Sequence, residues 1–345
     1  MRAAARIGAR DMGVAKRSAG FRDLLPAAAA LCYPFLLDGF HRLIGPAGSA
    51  PSPAGAVAAA LLLAAAFAVP AVGLLWFWRD TAGPALRRLA LAVVAAPTLF
   101  VFLGVVNFMA GGFYPDELLW CLFWAGLTAS AWAARDAPPA TAAPRVGGVR
   151  VAHGLVAALL LLYILFHIFN HLALLEGPGA HDALRRLGER VYRAPPVEPL
   201  LILLFLLQSA SGGWLAWRWS AAPAPDFFRA FQLASGVYLL AYIVGHMDSV
   251  FLYARLFQNI LTDWRFATGA PAGMLHDGWN IRLLPHYALG VFFALTHPLT
   301  GLRAILLAHG LRRNVADTGW AIGAAASALL AVLITLGMVA VAPGN

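Results

Sequence analysis

Residues 150–175 read RVAHGLVAALLLLYILFHIFNHLALL. The one formal charge stands at the start, and the apolar run behind it is long enough to cross a bilayer core of about 30 Å as a helix. Inside the run lies His167, 17 residues after Arg150. A second apolar run repeats the interval, with His246 17 residues after Arg229. If both runs start at the same membrane face, both imidazoles lie about 25 Å from it. A histidine inside a bilayer is costly and marks function by default. Two at one depth on separate helices can clamp a planar iron macrocycle between them, as bis-histidine haem sites do.

The rest of the chain agrees with a membrane reading. It is 61% hydrophobic and 12% charged over 345 residues, with a mean hydropathy of +0.73. That composition excludes an ordinary soluble domain and a disordered chain. The apolar material falls into about nine blocks, near 22–43, 54–78, 87–109, 114–134, 150–175, 197–219, 228–255, 282–307 and 315–341. None alternates as barrel strands do. The expected fold class is therefore all-α, a polytopic membrane helix bundle of about nine transmembrane helices. Its lipid contacts are implied by that reading.

The formal charge of +9 suggests nucleic acid at first sight. The basic residues are scattered between spans, so no nucleic-acid partner is expected. Most sit in segments that share a side with the N-terminus, which favours N-in, C-out. Arg185, Arg186, Arg190 and Arg193 are the main dissent. An integral protein of the bacterial inner membrane is expected. Lys16 is the only lysine and lies outside every block, which rules out a retinal-type Schiff base in the membrane. Cys32 and Cys121 each sit inside a block and read as buried inert thiols.

Residues 1–21 read as a basic cytoplasmic arm, 22–135 as a four-helix scaffold half, 136–149 as an Ala/Pro/Gly linker and 150–345 as a five-helix half. A tandem four-helix repeat is possible. Residues 33–41, YPFLLDGFH, align with 163–171, YILFHIFNH, and a Gly-Pro follows each, at Gly45-Pro46 and Gly177-Pro178. His41 is the only histidine before residue 150, so the first half reads as scaffold.

Three phrases in the second half carry chemistry. The first holds His167 and His171, four apart and on one helix face. His171 lies closer to water and could meet a propionate, a quinone or the headgroup region, or simply pack. The second runs from Arg229 through Gln232, Ser235 and Gly236 to His246 and Asp248. Its Ser-Gly allows close helix packing or a flat ligand face. The third holds His297, Pro298, Gly301 and Arg303. By register His297 lies near the opposite membrane face, away from the His167–His246 depth. The matching depth on span six holds Gln208, Ser211 and Gly212 but no histidine. His153 is a substitute for the missing donor. Arg255 and Arg282, at the ends of their spans, and His286 could pair with propionates or a quinone.

In order, these phrases resemble the membrane cytochrome b subunits of succinate dehydrogenase and fumarate reductase, over roughly Arg150–Gly310. Phe166-His167…Asn170 is similar to that family's first-helix phrase F-x-x-H-x-x-x-N, with the histidine one residue earlier. Arg229, Ser235-Gly236 and His246 are similar to its Arg, Ser/Thr-Gly and ligand histidine. His297-Pro-Leu-Thr-Gly301-Leu-Arg303 resembles its H-G-x-x-G-L-x-R. The resemblance implies His167 and His246 as axial ligands of a distal haem, and His297 as one ligand of a proximal haem. The second proximal ligand, expected near Gly212, is absent, so one haem b is the natural expectation. The four N-terminal spans are foreign to the family.

The expected function is an electron-transfer membrane protein of b-cytochrome type, passing electrons between a quinone and a redox partner. Flavoprotein and iron–sulfur subunits, or another redox protein, would be that partner. The chain would be at most the membrane subunit of a quinone-linked oxidoreductase. The alternative is a haem-free polytopic protein such as a transporter, assembly factor or sensor scaffold, in which Asp248, Gln208 or backbone would partner the histidines.

Overall fold

A computed structural model describes residues 19–79, 83–138, 146–222 and 226–341. The expected basic arm, except its last residues, and the linker segment 139–145 lie outside the described residues. The described residues form helices and no strand, so the chain is an all-α polytopic membrane bundle.

The first half holds α1 (Leu25–Ile44), α2 (Pro53–Arg79), α3 (Pro84–Val93), α4 (Ala96–Met109) and α5 (Asp116–Ala133). The second holds α6 (Gly147–Leu172), α7 (Pro178–Tyr192), α8 (Val197–Trp219), α9 (Phe227–Met247), the short α10 (Trp264–Thr268), α11 (Leu283–Ala308) and α12 (Arg313–Ala340). Among the described residues seven helices are long and apolar enough to cross a membrane, or eight if the bent pair α3–α4 counts as one span.

The difference from nine straight spans has local causes. The third block breaks by 73° between α3 and α4. Pro97, in the first turn of α4, has no N–H to extend the α3 ladder, and the N–H groups of Val94 and Ala95 fall back on Leu91 and Ala92. The fourth block is α5, only 18 residues long and opened by Asp116 and Glu117. Its Trp120 and Trp124 are fully buried, and Trp120 meets Phe100 of α4 edge to face at 5.2 Å. Pro298, despite its missing N–H, is carried inside a continuous α11.

Helix α9 is the shared wall of the molecule. One side packs Phe231, Ala234 and Tyr238 with Phe77 and Leu91 of the first half and Phe293 of α11. The opposite side faces α6 and α8. Those two helices turn Leu155, Leu159, Leu162, Leu200 and Leu203 outward and exposed, as lipid-facing helices do. At one end of the bundle, the near end, α6 and α9 begin while α8 and α11 finish. At the far end α7 folds back beside α6, with Gly188 seated against the ring of Phe166.

Candidate functional site

The site grows from one stripe of α6. Residues 153, 157, 160, 164, 167 and 171 recur every three or four positions, which keeps them on one helix face. All six line a cavity of about 490 Å³ between α6, α8, α9 and α11. That volume is typical of small-molecule and cofactor sites. Facing the stripe are Phe205 and Gln208 from α8, Gln232, Tyr242 and His246 from α9, and Tyr287 and His297 from α11.

Toward the far end, the structure brings His167 and His246 together. Their ring centres are 5.9 Å apart, with planes at 68°. A metal–imidazole bond is about 2 Å, so two imidazoles on opposite sides of one iron have ring centres about 6 Å apart. The interplanar angle is unrestricted, because each ring turns about its own metal–nitrogen bond. Among the described residues no side chain or carbonyl hydrogen-bonds either ring. Both are instead shelved by phenols. Tyr163 stacks on His167 at 5.7 Å and 16°, and Tyr242 on His246 at 5.7 Å and 8°. Tyr242 fits beneath because Gly290 of α11 lies against its ring, where any Cβ would collide.

Among the described residues no group of three or more His, Cys, Asp or Glu could hold a bare ion. A metal at this pair would need its remaining bonds from a cofactor, such as a planar macrocycle. The donor set fits such a group. So does the far mouth of the cavity, where Arg193 binds Thr262 at 2.9 Å and Glu189 at 2.9 Å, while its Nε is buried without a partner.

Arg255 reaches this mouth by an unusual route. It lies nine residues past His246, half a turn off the histidine's face in an α-helix. Residues Asp248–Phe257 instead form a π-helix, whose i→i+5 bonds add close to one residue per turn. Nine residues then complete about two turns, and Arg255 comes back to the cavity, paired with Glu198 of α8 at 2.7 Å. Arg255 thus pairs with Glu198, and not with Asp248 of its own helix. Asp248 is buried instead, and its Oδ2 has no partner.

His171 lines the cavity beside His167, ring centres 4.7 Å apart. Its other neighbour is His181 of α7 at 5.4 Å, a residue the sequence reading passed over. His181 is 1% exposed and bonded to Asn170 at 3.3 Å. Burial pushes its imidazole below the ordinary value despite the nearby Asp182 carboxylate.

His297 sits apart from this pair, as expected. It and His153 line the near part of the same cavity, each held by a serine and a glutamine. Ser211 meets His153 Nδ1 and Ser235 meets His297 Nδ1, both at 2.9 Å. Gln208 and Gln232 reach the respective Nε2 atoms at 3.1 Å.

Two expectations are corrected. Arg282 does not reach the cavity. It is buried on Asp116 at 2.7 Å, between Phe100 and Trp279. His286 is 3% exposed behind Tyr242, ring centres 4.6 Å apart, and is not part of the lining. Of the two thiols, Cys32 is exposed on the apolar surface and Cys121 is half-buried, and both are free. No family model, curated protein or solved structure matches the chain.

Proposed function

We propose that this chain is a membrane electron carrier of b-cytochrome type, holding one haem b between His167 and His246. The observation that carries the reading is the 5.9 Å separation of two imidazoles that have no hydrogen-bond partner among the described residues, across a cofactor-sized cavity. Bound there, an iron porphyrin supplies one-electron transfer. The chain's residues do the rest. His167 and His246 would supply the two nitrogen donors, and Tyr163 and Tyr242, stacked on them, would hold the ring orientations. Arg193 and Arg255 offer guanidinium groups to carboxylates at the mouth, and His171 stands beside them as a hydrogen-bonding group. The apolar wall keeps the dielectric low, which sets how strongly a change of charge is felt. The electron partners are a membrane quinone and a redox protein, for which succinate dehydrogenase-like flavoprotein and iron–sulfur subunits are one candidate. Residence in a bacterial cytoplasmic membrane belongs to the same proposal.

The test is a dithionite-reduced minus oxidised spectrum of the purified protein. A low-spin b-type signal is expected. His246→Ala should abolish it, His167→Ala should weaken it greatly, and His297→Ala should leave it largely intact. A colourless wild type would return the chain to the haem-free scaffold or transporter reading.

A further inference from the structure

Arg185, Arg186, Arg190 and Arg193 run against the charge sorting of the chain, since they cluster at the far end of the bundle. The structure divides them into two pairs. Arg185 and Arg193 turn inward. Arg185 bonds Asp182 at 3.2 Å and Glu189 at 2.8 Å, and Arg193 meets the same Glu189 at 2.9 Å. Both line the cavity, together with His181 and Tyr192 of the same stretch. Arg186 and Arg190 turn outward and are exposed. Among the described residues neither pairs with a carboxylate, because both acids of α7 are engaged by the inward arginines.

The same outer face carries Leu187 and Val191, 57% and 66% exposed. Positions 183, 186, 187, 190 and 191 recur every three or four residues, so cationic and apolar side chains share one stripe. Bare apolar side chains beside cations are the pattern of a helix lying in a lipid interface.

The contacts of α7 set the depth of that stripe. His181 bonds Asn170, Gly188 rests on the ring of Phe166, and Tyr192 meets Tyr163 with ring centres 5.5 Å apart. Passing along α7, the partners on α6 therefore run backward. Helix α7 slants back along α6 into the bilayer and does not stand clear of it. From Arg150 to Leu172, α6 is about 33 Å long, enough to cross the hydrocarbon core, so its end marks the far boundary. Gly188 lies level with Phe166, about 9 Å short of that end. An amphipathic interfacial helix sits about 5–10 Å below the head groups, and this stripe has that depth. Arginine side chains there are long enough to reach back to the phosphates.

We propose that α7 binds anionic phospholipid of the far leaflet, with Arg186 and Arg190 on head-group phosphates and Leu187 and Val191 among the acyl chains. Charge complementarity names the occupant, since the stripe offers two cations and no acid. The opposite face of α7 supplies His181, Arg185 and Tyr192 to the cavity, and Arg193 follows at its end. A lipid held on the outer face therefore holds the far wall of the cavity in place. The proposal does not rest on the haem reading, and colourless protein tests it equally well.

The experiment is hydrogen exchange of the full chain in nanodiscs of phosphatidylcholine, alone and with about one third phosphatidylglycerol. The anionic lipid should slow exchange across α7 about thirtyfold, from roughly fivefold for each arginine. Salt at about 0.5 M should shrink that difference. Arg186→Gln with Arg190→Gln should remove it and leave exchange in pure phosphatidylcholine unchanged. Leu187→Ser with Val191→Ser should speed exchange of α7 in both mixtures, because apolar seating does not depend on head-group charge. All four side chains are exposed, so the bundle folds without them. Equal exchange of α7 in the two mixtures overturns the proposal and leaves the stripe as a docking face for a protein. A lipid difference that survives the glutamine pair overturns it as well.

Discussion

His181 shows what a single buried imidazole does to the far end. Its neutral form is favoured because burial outweighs the pull of Asp182, with Arg185 opposing protonation and Asp263 assisting it. Its folded pKa lies below the unfolded value of about 6.5. Below that pH the opened segment binds a proton that the docked helix does not, so docking loses stability as pH falls from about 6.5 through the folded value, then levels off. The protection of α7 amides relative to their intrinsic exchange rates should therefore fall between pH 7 and pH 5, and His181→Gln should remove that fall. The sequence reveals His167 and His246 because equal spacing from two arginines is a one-dimensional signal. It carries no comparable signal for His181, which meets His171 only because α7 folds back on α6. The phrase Q-x-x-S-G, at Gln208–Gly212 and Gln232–Gly236, is visible in the chain, but without the α6–α8 and α9–α11 pairings nothing attaches it to His153 and His297.

At the element scale the decisive fits are helix against helix. Gly290 of α11 admits the ring of Tyr242, which in turn shelves His246. A methyl group there collides with the edge of a rigid ring that has no flexible end to retreat. Gly290→Ala should cost about 1–3 kcal/mol as an overpacked core does, seen as a lower unfolding midpoint, and should shift the haem band if His246 is a ligand. Helical periodicity is enough to place His153 and His167 on one face, since fourteen residues come close to four turns. It fails at Arg255, because a rule of 3.6 residues per turn assigns that residue to the wrong side of a helix that is π-wound from Asp248. It fails again at the third block, where apolar composition is uniform and only Pro97 hints at the 73° break.

Across the whole molecule, the first half braces the second. The brace includes Arg282, 4% exposed and capping the start of α11, and Asp116 at the start of α5, which also accepts from Asn107 at 2.7 Å. Removing one member leaves the other charge buried and alone. Arg282→Met should destabilise by about 3–5 kcal/mol, with Arg282→Met/Asp116→Leu recovering much of that loss. Thermal unfolding of the two variants in one detergent measures the difference. Composition alone points to a helical membrane bundle, yet Arg282 reads from sequence as a span-end partner for a propionate or quinone, because its actual partner lies more than 160 positions away. The cavity walls also order events during biogenesis. Helices α6 and α8 leave the ribosome before α9 and α11, so the pocket has only half its lining while translation continues. A ligand in this pocket can be enclosed only after the last third of the chain has been inserted, which would make loading of the proposed haem a late step of maturation.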